Sequence, residues 1–378
     1  MRTKSLIIAL LLCSPALLQA CIICNNMGVP LIKEVSEAKL VVFGRITDAR
    51  LGPDGIKGTS DFAVESILQG DSTLIKNNRL VFPRYVPPVA GVKYIVFLDV
   101  NQGQLDPYRS IVCSSDRLVQ YLQKMPKLTG AGTPQERQAR LKYTFDYFQD
   151  AEPELAADAY KIWSVATNQD AAAVASQVDA SKLRRWLLDP KTPQHCLALY
   201  GFLLGASGQP QDAELLKKLA LTPPDPRFHG AIDGILLGLE RQQSNEVWGV
   251  VKKILQENQR SFTERYAVLK FLRFLKDVQG DSVKAHIVAS LAILLDQPEM
   301  MDLAIEQMRQ MAVWDHQASV LKLWDNKANL APITLRAIVR YALSCPGQAA
   351  QDLLARVRKD DPEMVKSVEE LIHLGEKP

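Results

Sequence analysis

Between residues 134 and 374 a short punctuation recurs at near-constant spacing, and a period of this size admits few architectures. It stands at Asp150-Ala-Glu-Pro153, Asp189-Pro190, Asp225-Pro226, Arg260-Ser261, Asp296-Gln-Pro298 and Ala331-Pro332, at successive separations of about 39, 36, 35, 36 and 35 residues, the spacing of stacked helix pairs. A helix start wants an acceptor side chain at its N-cap and tolerates proline in its first turn, which these pairs supply. Asp361-Pro362 repeats the pattern, and Ser261-Phe-Thr-Glu264 replaces the proline with a capping box. Apolar residues follow at helical spacing, such as Phe262, Tyr266, Leu269 and Leu272, or Leu155, Ala159 and Trp163. The fold expected for 134–378 is an α-α superhelix of five or six such units, each burying its apolar stripe against the next.

Upstream the pattern changes. Short runs rich in β-branched and aromatic residues cover Leu40 to Ile46, Asp61 to Leu68, Arg79 to Phe82 and Val92 to Leu98, separated by turn chemistry such as Gly52-Pro53-Asp54-Gly55 and Pro87-Pro88. They predict a small antiparallel β-barrel over residues 21–125, closed by a helix from Ser115 to Lys124, with a linker at 126–133 before the repeats. The chain is thus read as multidomain, α and β.

Residues 1–20 read as an export signal: Arg2 and Lys4, an apolar stretch from Ile7 to Leu12, then Leu18-Gln19-Ala20-Cys21. No later stretch has the roughly twenty uninterrupted apolar residues of a membrane helix. Export predicts a periplasmic or extracellular location, where disulfides persist. Leu18-Gln19-Ala20-Cys21 resembles a bacterial lipoprotein signal, which implies diacylglycerol on Cys21 and membrane attachment through it; the alternative is secretion with Cys21 as a free N-terminus. Of the six cysteines, Cys13 leaves with the signal. Cys21, Cys24 and Cys113 are the disulfide candidates, and lipidation of Cys21 would leave Cys24 and Cys113 as an even pair. Cys196 and Cys345 lie in apolar helical runs and are expected as buried free thiols. Cys21-Ile-Ile-Cys24 also has the spacing of a redox dithiol or half a zinc site, but no strand precedes it and no second ligand pair accompanies it.

Several of these segments carry a resemblance. The N-terminal cysteines, the acidic stretch Glu34 to Ala38 leading into Val-Val-Phe-Gly-Arg-Ile46, Phe62-Ala-Val-Glu-Ser-Ile-Leu-Gln-Gly70, Gly91-Val-Lys-Tyr-Ile-Val-Phe-Leu98 and the late Cys113 resemble the netrin-like module of the tissue inhibitors of metalloproteinases. The resemblance implies an OB-type barrel with its N-terminal cysteine tied into the body. It also implies zinc chelation by Cys21, although that family uses Cys-x-Cys where this chain has Cys-x-x-Cys. Asp150 to Tyr160 resembles the start of a HEAT-type repeat, and the helical region resembles HEAT-like repeats, which bind proteins along a concave face.

Other signals are set aside. A net charge of +3 on 378 residues gives no general attraction to nucleic acid. Basic pairs such as Arg184-Arg185 and Lys252-Lys253 alternate with acids and read as solvated helix faces, while the five tryptophans occupy apolar helical positions. His195 and Cys196 point about 100° apart on a helix, so adjacency does not pair them. Asp106, Tyr108 and Arg109 form the most polar stretch of the barrel and read either as a possible binding loop or as a turn into the last strand. No catalytic, cofactor-binding or metal-ligating set is recognised. The expectation is a non-enzymatic exported protein that uses its helical repeats as a scaffold for a protein partner, with no nucleic acid, cofactor or small-molecule substrate. The rivals are a metalloprotease inhibitor acting through the cysteine end of the barrel and a thiol-disulfide protein using Cys21 and Cys24.

Overall fold

The computed structural model describes residues 28–375 apart from 56, 102, 208 and 224, with side chains to residue 373. The signal, Cys21 and Cys24 therefore lie outside the described residues. The chain divides into two compact units, one ending at Val174 and the other beginning at Ala175.

The first unit opens with helix α1 (Leu31–Glu37) and a sheet of β1 (Leu40–Leu51), β2 (Gly58–Gln69), β3 (Arg79–Phe82), β4 (Lys93–Asn101) and β5 (Gln104–Cys113). All ladders are antiparallel, in the order β3-β2-β1-β4-β5. Alternation places Leu40, Val42 and Ile46 of β1 with Phe62, Leu80, Phe82, Val96 and Leu98 in one core. Val41, Phe43, Ile95 and Phe97 are buried as well, so β1 and β4 are covered on both faces. The β1–β2 ladder shifts register three times, and each irregularity bends the strands. Gly44 sits at one of them, where a Cβ would run into the carbonyl of Ala63.

Three helices complete this unit: α2 (Arg117–Lys124), α3 (Pro134–Phe145) and α4 (Pro153–Ser164). The sequence assigned α3 and α4 to the repeats, but their polar side chains tie them to the sheet unit. Asp158 of α4, almost wholly buried, accepts the Leu31 N–H at the start of α1 (2.6 Å) and the Tyr121 hydroxyl of α2 (2.9 Å). Tyr143 of α3 stacks on Tyr121 at 5.7 Å and donates to its carbonyl.

Helix α5 (Asn168–Ala175) spans the division. The second unit contains α6 (Ala180–Leu188), α7 (Gln194–Ala206), α8 (Pro210–Leu221), α9 (Ile232–Gln242), α10 (Ser244–Gln256), α11 (Phe262–Gln279), α12 (Lys284–Leu294), α13 (Met301–Gln310), α14 (Gln317–Lys322), α15 (Pro332–Ser344), α16 (Gln348–Asp360) and α17 (Pro362–Gly375). Helices pack on the next but one: α7 on α9, α9 on α11, α8 on α10, α10 on α12, α13 on α15, α14 on α16 and α15 on α17.

The punctuation has two origins. Ser261 and Glu264 form the capping box expected of them, and Asp225 and Asp361 accept N–H groups at the turns they open. Asp189 and Asp296 do not open helices. Asp189 is the C-cap of α6 and braces the following turn by accepting the Lys191 N–H, and α13 begins beyond Pro298, at Met301. Proline there ends one helix rather than starting the next.

The closest approach lies between α7 and α9. A Cβ on Gly205 would collide with the backbone of Gly238, one on Gly238 with the carbonyl of Gly201, and one on Gly234 with the backbone of Ala198. Contact positions rise together along both helices, so the two run parallel. Gly249 on α10 faces open space. Gly238→Ala is expected to destabilise the protein by about 2–3 kcal/mol through overpacking, whereas Gly249→Ala should stabilise it by up to about 1 kcal/mol. Denaturant unfolding followed by helical circular dichroism checks both, and equal effects at the two positions would refute the contact.

Candidate functional site

Helix-to-helix polar links in the second unit recur at one-repeat spacing. Arg184 of α6 pairs with Asp212 of α8 (2.5 Å), Lys217 of α8 with Glu246 of α10 (2.7 Å), Lys270 of α11 with Asp233 of α9 (2.6 Å), and Arg340 of α15 with Glu306 of α13 (3.2 Å). Arg273 of α11 donates to Gln307 of α13 at 2.6 Å, and Arg265 of α11 pairs with Glu299 just ahead of α13. Asp212 and Asp233 are buried, so each depends on its cation. Burial raises the pKa of Asp233, and Lys270 opposes that shift. These links account for part of the basic character read in the sequence as solvated faces. Two large apolar side chains stand exposed in helix first turns of this unit: Phe262 of α11, stacked on Tyr266 at 5.8 Å, and Ile333 of α15, 47% and 62% exposed.

Among the tryptophans, Trp163 and Trp324 are buried as expected, while Trp186, Trp248 and Trp314 are half-buried. Trp248 of α10 stacks on His286 of α12 at 4.6 Å.

Asp106, Tyr108 and Arg109 lie within β5, not in a loop. Ladder bonds to Phe97 and Leu98 carry this segment as strand, with an irregularity that accommodates Pro107. The three side chains also serve separate contacts. Asp106 faces Arg84 at 3.8 Å, while Arg109 pairs with Glu34 of α1 and lies over the Phe97 ring. Tyr108 is half-exposed at a hollow of about 170 Å³ between the end of β3 and the middle of β5, walled by Ile46, Phe62, Phe82 and Val96.

Cys113 ends β5 and is buried, with no disulfide partner among the described residues; burial pushes its thiol up to about 11. Cys196 and Cys345 are buried free thiols, as the sequence indicated. Burial pushes Cys196 up to about 12 and lowers the pKa of the neighbouring His195, so neither holds charge readily near neutrality.

The first unit also contains a cleft of about 1130 Å³. Its walls come from α1, the end of β2, the end of α2 with the segment after it, α3, and the end of α4. Apolar side chains predominate, and Val29, Ile67 and Val165 stand exposed at it. Two arginines of α3 line it. Arg137 donates to Asp170 at 2.6 Å and to the Gly132 carbonyl at 2.7 Å. Burial would raise the Asp170 carboxyl, but hydrogen bonds from Arg137, Thr167 and Gln138 hold it below its usual value. Arg140 spends Nε and Nη2 on the Pro126 carbonyl, at 3.0 and 2.8 Å, and no ion pair within 4 Å forms with it among the described residues, although the buried Asp158 carboxylate acts on it from farther off. Burial accordingly lowers its pKa.

Among the described residues no cluster of three or more histidine, cysteine or carboxylate side chains is arranged to hold a metal ion. No described helix is long and apolar enough to cross a membrane. These features define a class, an α+β unit with a broad cleft followed by an all-helical unit. The chain matches no family model, no curated protein and no solved structure.

The thiol environment yields a pH prediction. A folded-state pKa raised above the unfolded one contributes stability that is present below the unfolded thiol pKa and lost as pH rises towards the folded value. Between about pH 9 and 12 wild-type stability should therefore fall more steeply than that of Cys196→Ala, by about 1.4 kcal/mol per pH unit. Parallel slopes in urea titrations across that range would remove the burial argument.

Proposed function

We propose that the protein is a non-enzymatic component of the cell envelope whose helical repeats hold a protein partner. The observation that carries this reading is the pair Phe262 and Ile333, large apolar side chains exposed in the first turns of α11 and α15. Large apolar groups repeated along one edge of a solenoid suit recognition of an extended partner surface. The next-but-one packing and the one-repeat polar links support a HEAT-like α-α superhelix. For the sheet, the order β3-β2-β1-β4-β5 and the approach of β3 to β5 support an OB-type barrel of the netrin-like kind.

A photo-crosslinking phenylalanine analogue placed at position 262, and separately at 333, should capture one and the same partner in the cells that make the protein. The same probe at Gly249 should not. Failure at both positions, or equal capture at all three, would sink the partner-binding reading.

Export and anchoring form a separate part of the proposal, resting on residues 1–21. Intact mass of the mature protein is expected to show a chain beginning at Cys21 and carrying diacylglycerol. An unmodified Cys21 amine would instead favour secretion and reopen the zinc-chelating inhibitor reading. A chain that still carries residues 1–20 would refute the export signal.

A further inference from the structure

The cleft of the first unit combines an apolar lining with a cationic side chain. Its walls are largely apolar, with Ile32 of α1, Leu122 of α2, Leu141 of α3 and Ile162 of α4 among them. Leaving such surface open to water costs about 25 cal/mol for each Å² that a ligand would cover. At the same wall Arg140 is partly desolvated, and among the described residues it forms no ion pair and offers a guanidinium edge whose Nη1 makes no hydrogen bond. Arg137, on the same face of α3 one turn earlier, is already committed to Asp170. Across the lining, Lys33, Lys127, Arg137 and Arg140 outnumber Glu37 and Asp170, so the cleft is complementary to an anion with an apolar body.

We propose that this cleft binds a single-chain fatty carboxylate, its hydrocarbon chain along the apolar walls and its carboxylate on the free edge of Arg140. The planar fork of arginine matches a carboxylate better than lysine does, and the volume of about 1130 Å³ slightly exceeds that of ordinary small-ligand pockets, roughly 300–1,000 Å³, so it leaves ample room for a hydrocarbon chain. This role is binding, not turnover, and it is independent of the partner held by the repeats.

The test titrates dodecanoate and dodecanol into the full mature protein by calorimetry. Dodecanoate is expected to bind saturably with one equivalent, about tenfold more tightly than dodecanol, the difference that one charge-assisted hydrogen-bonded pair supplies. Arg140→Gln should bring dodecanoate to the level of dodecanol, and Arg140→Lys should recover part of the preference. Val165→Trp, a change at a half-exposed position on the lip, should weaken both ligands and serves as the second variant if Arg140→Gln fails to fold. The proposal is overturned by absence of saturable binding, by an unchanged carboxylate preference in a folded Arg140→Gln, or by no effect of Val165→Trp. It is also overturned if binding appears only after residues 22–27 are replaced by a glycine-serine run, since the chain's own segment would then be the occupant.

Discussion

The second unit depends on parallel helices two places apart in sequence lying directly against each other. A helix of ten to eighteen residues with one apolar stripe gains little by itself, because its backbone hydrogen bonds barely offset the entropy of ordering it. Burial against a neighbour supplies the missing stabilisation. Between α7 and α9 that burial is closest, because Gly201, Gly205, Gly234 and Gly238 let backbone touch backbone. Dispersion contacts fall off steeply with separation, so such a junction specifies the spacing of the two helices more narrowly than leucine packing would. The carboxylates Asp212 and Asp233 add directionality. Once buried they must meet Arg184 and Lys270, and a helix shifted by one turn would strand them.

In the first unit a single carboxylate has a comparable part. Asp158 receives donors from α1 and α2, and without it the Leu31 amide and the Tyr121 hydroxyl would be buried unsatisfied. The price of that arrangement is a buried acid whose pKa burial drives upward, against the two hydrogen bonds. By joining α4 to α1 and α2, this contact also sets the walls of the cleft. Structural and ligand-facing roles therefore meet on adjacent surfaces: Asp158 organises the helices, and Arg140 is left facing the space between them.

Local chemistry read well wherever local rules decide the outcome. Strands β1 to β4, the closing helix α2, the capping box at Ser261 and the buried thiols Cys196 and Cys345 all follow from short-range patterns. Asp189 and Asp296 were misplaced as helix starts because aspartate followed by proline serves equally well in the turn that leaves a helix. Asp106 to Arg109 read as a loop or a turn into the last strand because proline and charge disfavour strand, yet β5 already runs through them, since β4 offers a ladder and an irregularity absorbs Pro107. The paired glycines at 201, 205, 234 and 238 are a visible signal too, their four-residue spacing marking one face of α7 and one of α9, but which faces meet is not a local property.

What the sequence by itself determined was the kind of element at each place and the period of the helical region, because capping, turn formation and amphipathic spacing act within a few residues. Only the tertiary structure decided that α3 and α4 belong with the sheet, which lysine or arginine meets which buried acid, and that a cleft exists at all. Those outcomes depend on groups brought together from as far apart as the Leu31 amide and the Asp158 carboxylate, and no local pattern encodes which distant groups will share a desolvated space.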